Sequence, residues 1–190
     1  PTGGQIVFKD DGTGEYTCQT DNQKELIKNE DIYFYIEKGK EYQFDKEGKL
    51  IKITEEDGWV TNFSYDNNKL TQIKSNAGIL KYSWEGNYIV NASINGIEVK
   101  YEYKSGNLVK VTNADGDSCA YEYNENNNLT LMTDYEGNEY VKNEYDSIGR
   151  VIKQKVADSG EYTFTYDDEK RENSCKSESG NVHTIKYNED

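Results

Sequence analysis

The chain has 190 residues, which is enough for one domain or one segment of a repeat array. Its formal net charge of −14 repels phosphate backbones and anionic membrane surfaces, so we expect no nucleic-acid partner. No apolar stretch approaches the roughly 18 residues that a membrane span requires. The mean hydropathy of −1.02 is typical of disorder, but 17 Tyr and many β-branched residues favour β-sheet.

Residues 1–32 are predicted to form an irregular N-terminal β segment. They contain Phe8, a turn at Asp10–Gly12 and a strand candidate at Glu15–Gln19. The chain opens at Pro1–Gly4 without an initiator Met, so we expect an excerpt of a longer protein whose targeting signals lie elsewhere.

Residues 33–190 carry two sequence markers that recur about every twenty residues. One is an aromatic residue that ends an aromatic-x-aromatic pair, and the other is a glycine suited to a turn. Because both markers keep the same period in phase, they predict tandem β-hairpins. The aromatic markers are Phe44, Tyr65, Trp84, Tyr103, Tyr123, Tyr145, Tyr166 and Tyr187, and the glycines are Gly58, Gly78, Gly96, Gly116, Gly137, Gly160 and Gly180.

The unit at 100–119 shows how one repeat is built. Side chains alternate along a strand, so Tyr101 and Tyr103 lie on one face. A turn at Ser105-Gly106 leads into the return strand at Leu108–Thr112. The same order of strand, turn and return strand then begins again.

Apolar residues in the return strands are spaced by three, which does not fit strict alternation. We interpret the first of each pair as a turn-exit residue, followed by a strand with a β-bulge. The predicted fold class is all-β, with antiparallel hairpins of about 20 residues in a twisted, spiralling or partly closed sheet. The apolar pairs are Leu50/Ile53, Leu70/Ile73, Leu108/Val111 and Leu129/Met132.

The last hairpin is degenerate in sequence. It keeps Tyr166-Asp167, but its return segment, Glu169–Lys176, has lost the apolar residues. We therefore expect this return strand to be solvated or frayed.

Two segments resemble the motif that defines the YD repeat: Tyr-Asp, two variable residues, Gly, a basic residue and Leu. They are Phe44–Leu50 and Tyr145–Val151, and Tyr65-Asp66 and Tyr166-Asp167 share the head of the motif. The chain thus resembles YD-repeat, or RHS-repeat, proteins, which include bacterial RHS toxins, wall-associated proteins, toxin-complex components and teneurins. The motif residues are Phe44, Asp45, Gly48, Leu50, Tyr65, Asp66, Trp84, Tyr103, Tyr123, Tyr145, Asp146, Gly149, Tyr166 and Asp167.

The resemblance implies a structural role and a location outside the cell. In that family the hairpins form a hollow shell, which in toxin members encloses a C-terminal effector. It implies a secreted or cell-surface shell segment without enzyme activity, whose partners are the rest of the shell and an enclosed effector. An isolated sheet also exposes edges and an aromatic face, so we expect some self-association.

Rows of tyrosine provide an alternative function. Tyr101, Tyr103, Tyr121 and Tyr123 would lie on one face and could bind a glycan by ring stacking, or bind a partner protein. Carbohydrate binding has been proposed for the YD-repeat family that the chain resembles. The other interpretation is that these rings are the packed face of the sheet.

The remaining chemistry-bearing residues predict neither a catalytic site nor a cofactor. Cys18, Cys119 and Cys175 are odd in number and widely spaced, which argues against a disulfide framework and a zinc site. His183 is the one histidine and is interpreted as a surface strand residue.

The segment at Asn113–Asp117 carries alternating oxygen donors like those of a calcium loop. Its Gly116 is fourth rather than sixth, and Asn124 stands where a bidentate Glu is needed. A hairpin turn is therefore favoured, and no metal site is predicted.

Overall fold

The structure is a computed structural model that describes residues 6–10, 12–18 and 24–188. Within these ranges the chain forms nineteen β-strands and no helix, which confirms the predicted all-β fold. The predicted opening at Pro1–Gly4, the turn residue Asp11 and the strand residue Gln19 lie outside the described residues. The strands are β1 Phe8–Asp10, β2 Glu15–Cys18, β3 Lys24–Asn29, β4 Ile32–Glu37, β5 Lys40–Phe44, β6 Leu50–Thr54, β7 Val60–Asp66, β8 Lys69–Ser75, β9 Gly78–Glu85, β10 Tyr88–Ile94, β11 Ile97–Lys104, β12 Asn107–Thr112, β13 Ser118–Tyr123, β14 Leu129–Thr133, β15 Glu139–Tyr145, β16 Val151–Val156, β17 Gly160–Asp167, β18 Glu172–Ser177 and β19 Val182–Lys186.

The chain divides into two compact units, residues 1–97 and 98–190. In the first unit each strand from β1 to β10 pairs antiparallel with its neighbour in the chain. The strands from β11 to β19 do the same in the second unit. Each unit is therefore a meander of consecutive hairpins. The predicted boundary between 1–32 and 33–190 stays a prediction.

Two kinds of turn connect the strands. In the longer kind, the first residue exchanges backbone hydrogen bonds with the fourth and fifth, as Asp45 does with Gly48 and Lys49. The fourth residue has positive φ, which glycine adopts without a steric penalty. In the shorter kind both central residues have positive φ, as at Ser105-Gly106. The longer turns begin at Asp45, Glu55, Asn113, Asn124, Asp134, Asp146 and Ser177.

A β-bulge recurs at the start of the return strands and explains the spacing by three. Phe44 pairs with Leu50, whereas Gln43 pairs with Lys52, so the return strand holds one extra residue. The extra residue brings Leu50 and Ile53 to the same face of the sheet. The predicted bulge is confirmed, and equivalent register shifts lie opposite Tyr65, Trp84, Tyr103, Tyr123 and Tyr145.

Few of the described residues are buried in the sheet. Among the described residues only Cys119 and Asn143 are buried, at 4% and 9% exposure. Many apolar side chains are half-buried, and in β9 the less exposed face carries Tyr82 and Trp84. Tyr suits this environment because its ring packs while its hydroxyl needs a partner.

The last return strand contradicts the sequence-based expectation. β18 is a regular strand that pairs with β17 over six positions and with β19 over five, so it is neither frayed nor fully solvated. Backbone ladders do not require apolar side chains, and Thr165 and Ser174 add a cross-strand hydroxyl contact of 2.7 Å. β19 is the strand whose residues are all exposed.

Candidate functional site

The aromatic markers connect successive hairpins through a repeated hydrogen bond. Four of these markers donate a hydrogen bond from the side-chain O–H or N–H to a backbone carbonyl at or next to the start of the preceding return strand. We call this contact the junction. The donor–acceptor distances are 2.9 Å for Tyr65 to Leu50, 2.8 Å for Trp84 to Leu70, 2.6 Å for Tyr145 to Leu129 and 2.7 Å for Tyr166 to Val151.

The hydrogen bond forms where the pairing with the next strand has ended. The register between β6 and β7 ends at Lys52 and Asn62, two residues beyond Leu50. The Leu50 carbonyl therefore lies past the ladder, where the Tyr65 hydroxyl donates to it. The Tyr65 hydroxyl thus extends the contact between β6 and β7 beyond their backbone ladder, and burial raises the pKa of Tyr65.

A basic residue covers the ring at three junctions. The Lys49 ammonium lies 5.9 Å from the Tyr65 ring centroid, and the Arg150 guanidinium lies 4.4 Å from that of Tyr166. Lys69 lies over Trp84 in the same way, at 5.5 Å. These geometries are cation–π contacts, which gives the basic position of the YD motif a physical role.

The acidic head of the motif organises the turn. One carboxylate oxygen of Asp146 accepts hydrogen bonds from the backbone N–H groups of Ile148 and Arg150, at 3.1 and 2.9 Å. The other accepts from the Arg150 side chain at 2.7 Å. Hydrogen bonding to Arg150 lowers the pKa of Asp146. Arg150 also contacts Asp168 at 3.0 Å, so it joins the turn to the next hairpin.

Of the other predicted motif aspartates, one heads the same kind of turn and two lie in different turns. Asp45 makes the same turn, accepting from the N–H groups of Glu47 and Lys49. Asp66 pairs with Lys69 across a two-residue turn. Asp167 accepts from the backbone and side chain of Lys170, and these hydrogen bonds lower its pKa.

The four tyrosines of the predicted ligand face lie on two strands that are not neighbours. Tyr101 pairs with Val111, and Val111 pairs with Cys119, so strand β12 lies between β11 and β13. Tyr121 and Tyr123 line an open cavity of about 740 Å³ together with polar turn residues. Tyr103, on β11, lies opposite Leu108. Their role in ligand binding stays a prediction.

Tyr121 has a specific partner in this region. Its hydroxyl lies 3.4 Å from the Cys119 sulfur. This hydrogen bond, followed by burial, raises the pKa of Tyr121 to about 12. Cys119 is the most buried residue of the described chain, so its thiol is shielded from solvent.

The structure also brings together two residues that sequence reasoning kept apart. Cys175 on β18 and His183 on β19 are register partners across the Ser177–Gly180 turn. The turn glycine, Gly180, could have revealed this pair from the sequence. A turn fixes the register of a hairpin, so residues at equal distance from it lie opposite each other. Cys18 instead pairs with Phe8, on β1.

The alternating oxygen donors at Asn113–Asp117 serve the backbone. The Asn113 carboxamide oxygen accepts from the N–H groups of Asp115 and Asp117, at 3.0 and 2.9 Å. In the described ranges, no three His, Cys, Asp or Glu residues cluster as a metal site would require. Nor do these ranges contain a helix of sufficient length and apolarity to cross a membrane.

These features define the class: a tandem antiparallel β-hairpin repeat protein. Residues 101–139 match the sequence model of the RHS repeat, which confirms the predicted likeness to RHS-repeat proteins. The match begins in β11 and ends at the first residue of β15, so it covers two consecutive bulged hairpins. A search of curated protein sequences found no match.

Comparison with solved structures shows one with a similar fold and a weaker second match. A crystal structure of TcdB2–TccC3–Cdc42 aligns with 85% of this chain and 11% of the other chain, at 16% identity and a TM-score of 0.58. A mutant Tc holotoxin pore of Photorhabdus luminescens aligns with 96% of this chain and 14% of the other, at 12% identity and a TM-score of 0.48. The chain thus spans about a tenth of the length of these neighbours, and the first likeness establishes a similar fold.

Proposed function

We propose that this chain is a wall segment of an RHS-type shell in a secreted or cell-surface protein. The observation that carries the proposal is the RHS-repeat match at 101–139 within a meander of bulged hairpins. In this proposal the chain contributes a stiff sheet, and the longer parent protein supplies the rest of the enclosure. As in toxin members of the family, the enclosed partner is an effector domain.

The contacts made by the YD-motif residues support a structural role. At the junction of Tyr166 the hydroxyl is engaged by a carbonyl and the ring by a guanidinium. The Asp146 carboxylate is engaged by backbone N–H groups and Arg150. These contacts connect the turn and the neighbouring hairpins, which is the role a wall segment requires of the motif.

Cryo-electron microscopy of the complete gene product tests the proposal. We expect residues 6–188 to form part of a closed wall around density for a separate domain. Protease digestion provides a second measurement, because an enclosed effector should resist cleavage until the shell is opened. A parent protein that displays these hairpins as an open sheet with nothing enclosed would contradict the proposal.

A second candidate function is binding of a glycan or a partner protein. The observation that favours it is the open cavity beside Tyr121 and Tyr123, whose rim carries the amides Asn107, Asn124 and Asn127. Aromatic faces combined with amide groups suit saccharide binding. Glycan-array binding that is lost in Tyr123→Ala but kept in the control Tyr140→Ala would support this function over the purely structural one.

A further inference from the structure

The hairpin of β18 and β19 places a thiol beside an imidazole. Cys175 and His183 are directly opposed, and the register around them is continuous from Glu172/Lys186 to Lys176/Val182. Directly opposed residues of an antiparallel pair share a face, with Cβ atoms about 4.5–5.5 Å apart. One ion can bridge a sulfur and a ring nitrogen across that distance.

Both side chains border the same accessible space. Cys175 and His183 line an open cavity of about 770 Å³, together with Tyr162, Ser177 and Glu178. Cys175 is half-buried and His183 is exposed, so an ion can reach the pair from solvent. The Cys119 thiol differs, because it is 4% exposed and lies against Tyr121.

The donor set selects the kind of metal. Within the described part of the chain no third His, Cys, Asp or Glu joins the pair in a metal cluster. Zinc in structural sites uses four protein ligands. A thiolate favours soft ions such as Cu(I), and imidazole is also a good copper ligand. Cu(I) is stable with two ligands in a linear arrangement.

We infer that Cys175 and His183 bind one Cu(I) ion through the thiolate sulfur and one imidazole nitrogen. Binding releases the thiol proton to solvent, and neither the metal nor the protein changes oxidation state. This site is independent of the proposed wall function, because neither residue takes part in a junction. It would give the exposed end of the second unit a metal-dependent contact between its last two strands.

The test is anaerobic titration of the chain with Cu(I) against a coloured Cu(I) chelator. Cys18→Ser and Cys119→Ser together provide a background in which Cys175 is the remaining thiol. We expect one ion per chain, and His183→Ala should weaken binding at least about tenfold. Val182→Ala is the matched control, since it alters β19 at an exposed position outside the pair. Unchanged affinity in His183→Ala would overturn the inference.

Two measurements on the chain that keeps His183 do not depend on whether the His183→Ala variant folds. X-ray absorption at the copper edge should show one sulfur and one nitrogen neighbour, and coordination by sulfur alone would contradict the site. Cu(I) should also protect Cys175 from alkylation, detected by mass spectrometry of the peptide. Equal alkylation with and without Cu(I) would likewise contradict it.

Discussion

The junction hydrogen bond can be measured at Tyr65. Tyr65→Phe removes the hydroxyl that donates to the Leu50 carbonyl at 2.9 Å but keeps the ring beneath Lys49. A net intramolecular hydrogen bond contributes about 0.5–1.5 kcal/mol, and loss of the donor also leaves the carbonyl without this partner. Because Leu50 is half-buried, water can partly replace the hydroxyl, and we expect a loss of about 1 kcal/mol.

Urea unfolding followed by tryptophan fluorescence is the assay. Both tryptophans, Trp59 and Trp84, lie in the same unit as Tyr65, so the signal reports on the correct part of the chain. The urea concentration at the midpoint should fall without a change in the slope of the transition. In a separate thermal unfolding experiment, a loss of about 1 kcal/mol should lower the melting temperature of a chain of this size by roughly 2–4 °C.

Tyr82→Phe is the matched control. Tyr82 lies on the same face of β9 as Trp84 but two residues before the junction position. Removal of the Tyr82 hydroxyl should change the free energy of unfolding by less than about 0.5 kcal/mol. If the two variants lose equal stability, the junction hydrogen bond contributes nothing specific and the reasoning fails.

Three further predictions concern the second unit. Tyr145→Phe should cost less than Tyr65→Phe in urea unfolding followed by far-UV circular dichroism, because the Asn143 amide also donates to the Leu129 carbonyl, at 3.1 Å. Adding Asn143→Ala should expose the full cost, and additive small effects would contradict this. Gly149→Ala should lower the free energy of unfolding by about 1–2 kcal/mol, since its φ is +85°. Gly149→Asn should be milder in the same assay, because Asn tolerates positive φ; equal losses would refute the argument. The raised pKa of Tyr121, about 12 against 10.0, means that the folded state retains the proton more tightly than the unfolded chain. This stabilisation is present below pH 10 and is lost as pH rises from 10 towards 12, so Tyr121→Phe should flatten the decline measured by unfolding across that range; an unchanged decline would count against it.

The repeat itself was readable from the sequence because its signals are local. A glycine at the fourth position of a turn reflects the backbone angle at that residue, as Gly149 at +85° shows. The spacing of Leu50 and Ile53 predicted the bulge, because side-chain alternation has a fixed period of two. Such features need no knowledge of distant residues.

The degenerate return strand could not be predicted from composition. Glu172–Ser177 lacks the apolar residues that identify strands, but it is held between β17 and β19 by backbone ladders on both sides. Its neighbours, rather than its own propensity, determine its conformation. Polar contacts such as Lys186 to Glu172, at 3.3 Å, add to the backbone pairing.

The sequence by itself determined the all-β class, the hairpin period, the turn residues and the likeness to RHS-repeat proteins. The tertiary structure decided what those residues do, because contacts between hairpins depend on register. The Tyr65 hydroxyl donates to the Leu50 carbonyl, fifteen residues away, because Leu50 lies beyond the last register pair of β6 and β7. Cys175 meets His183 because the Ser177–Gly180 turn fixes which positions face each other across two strands.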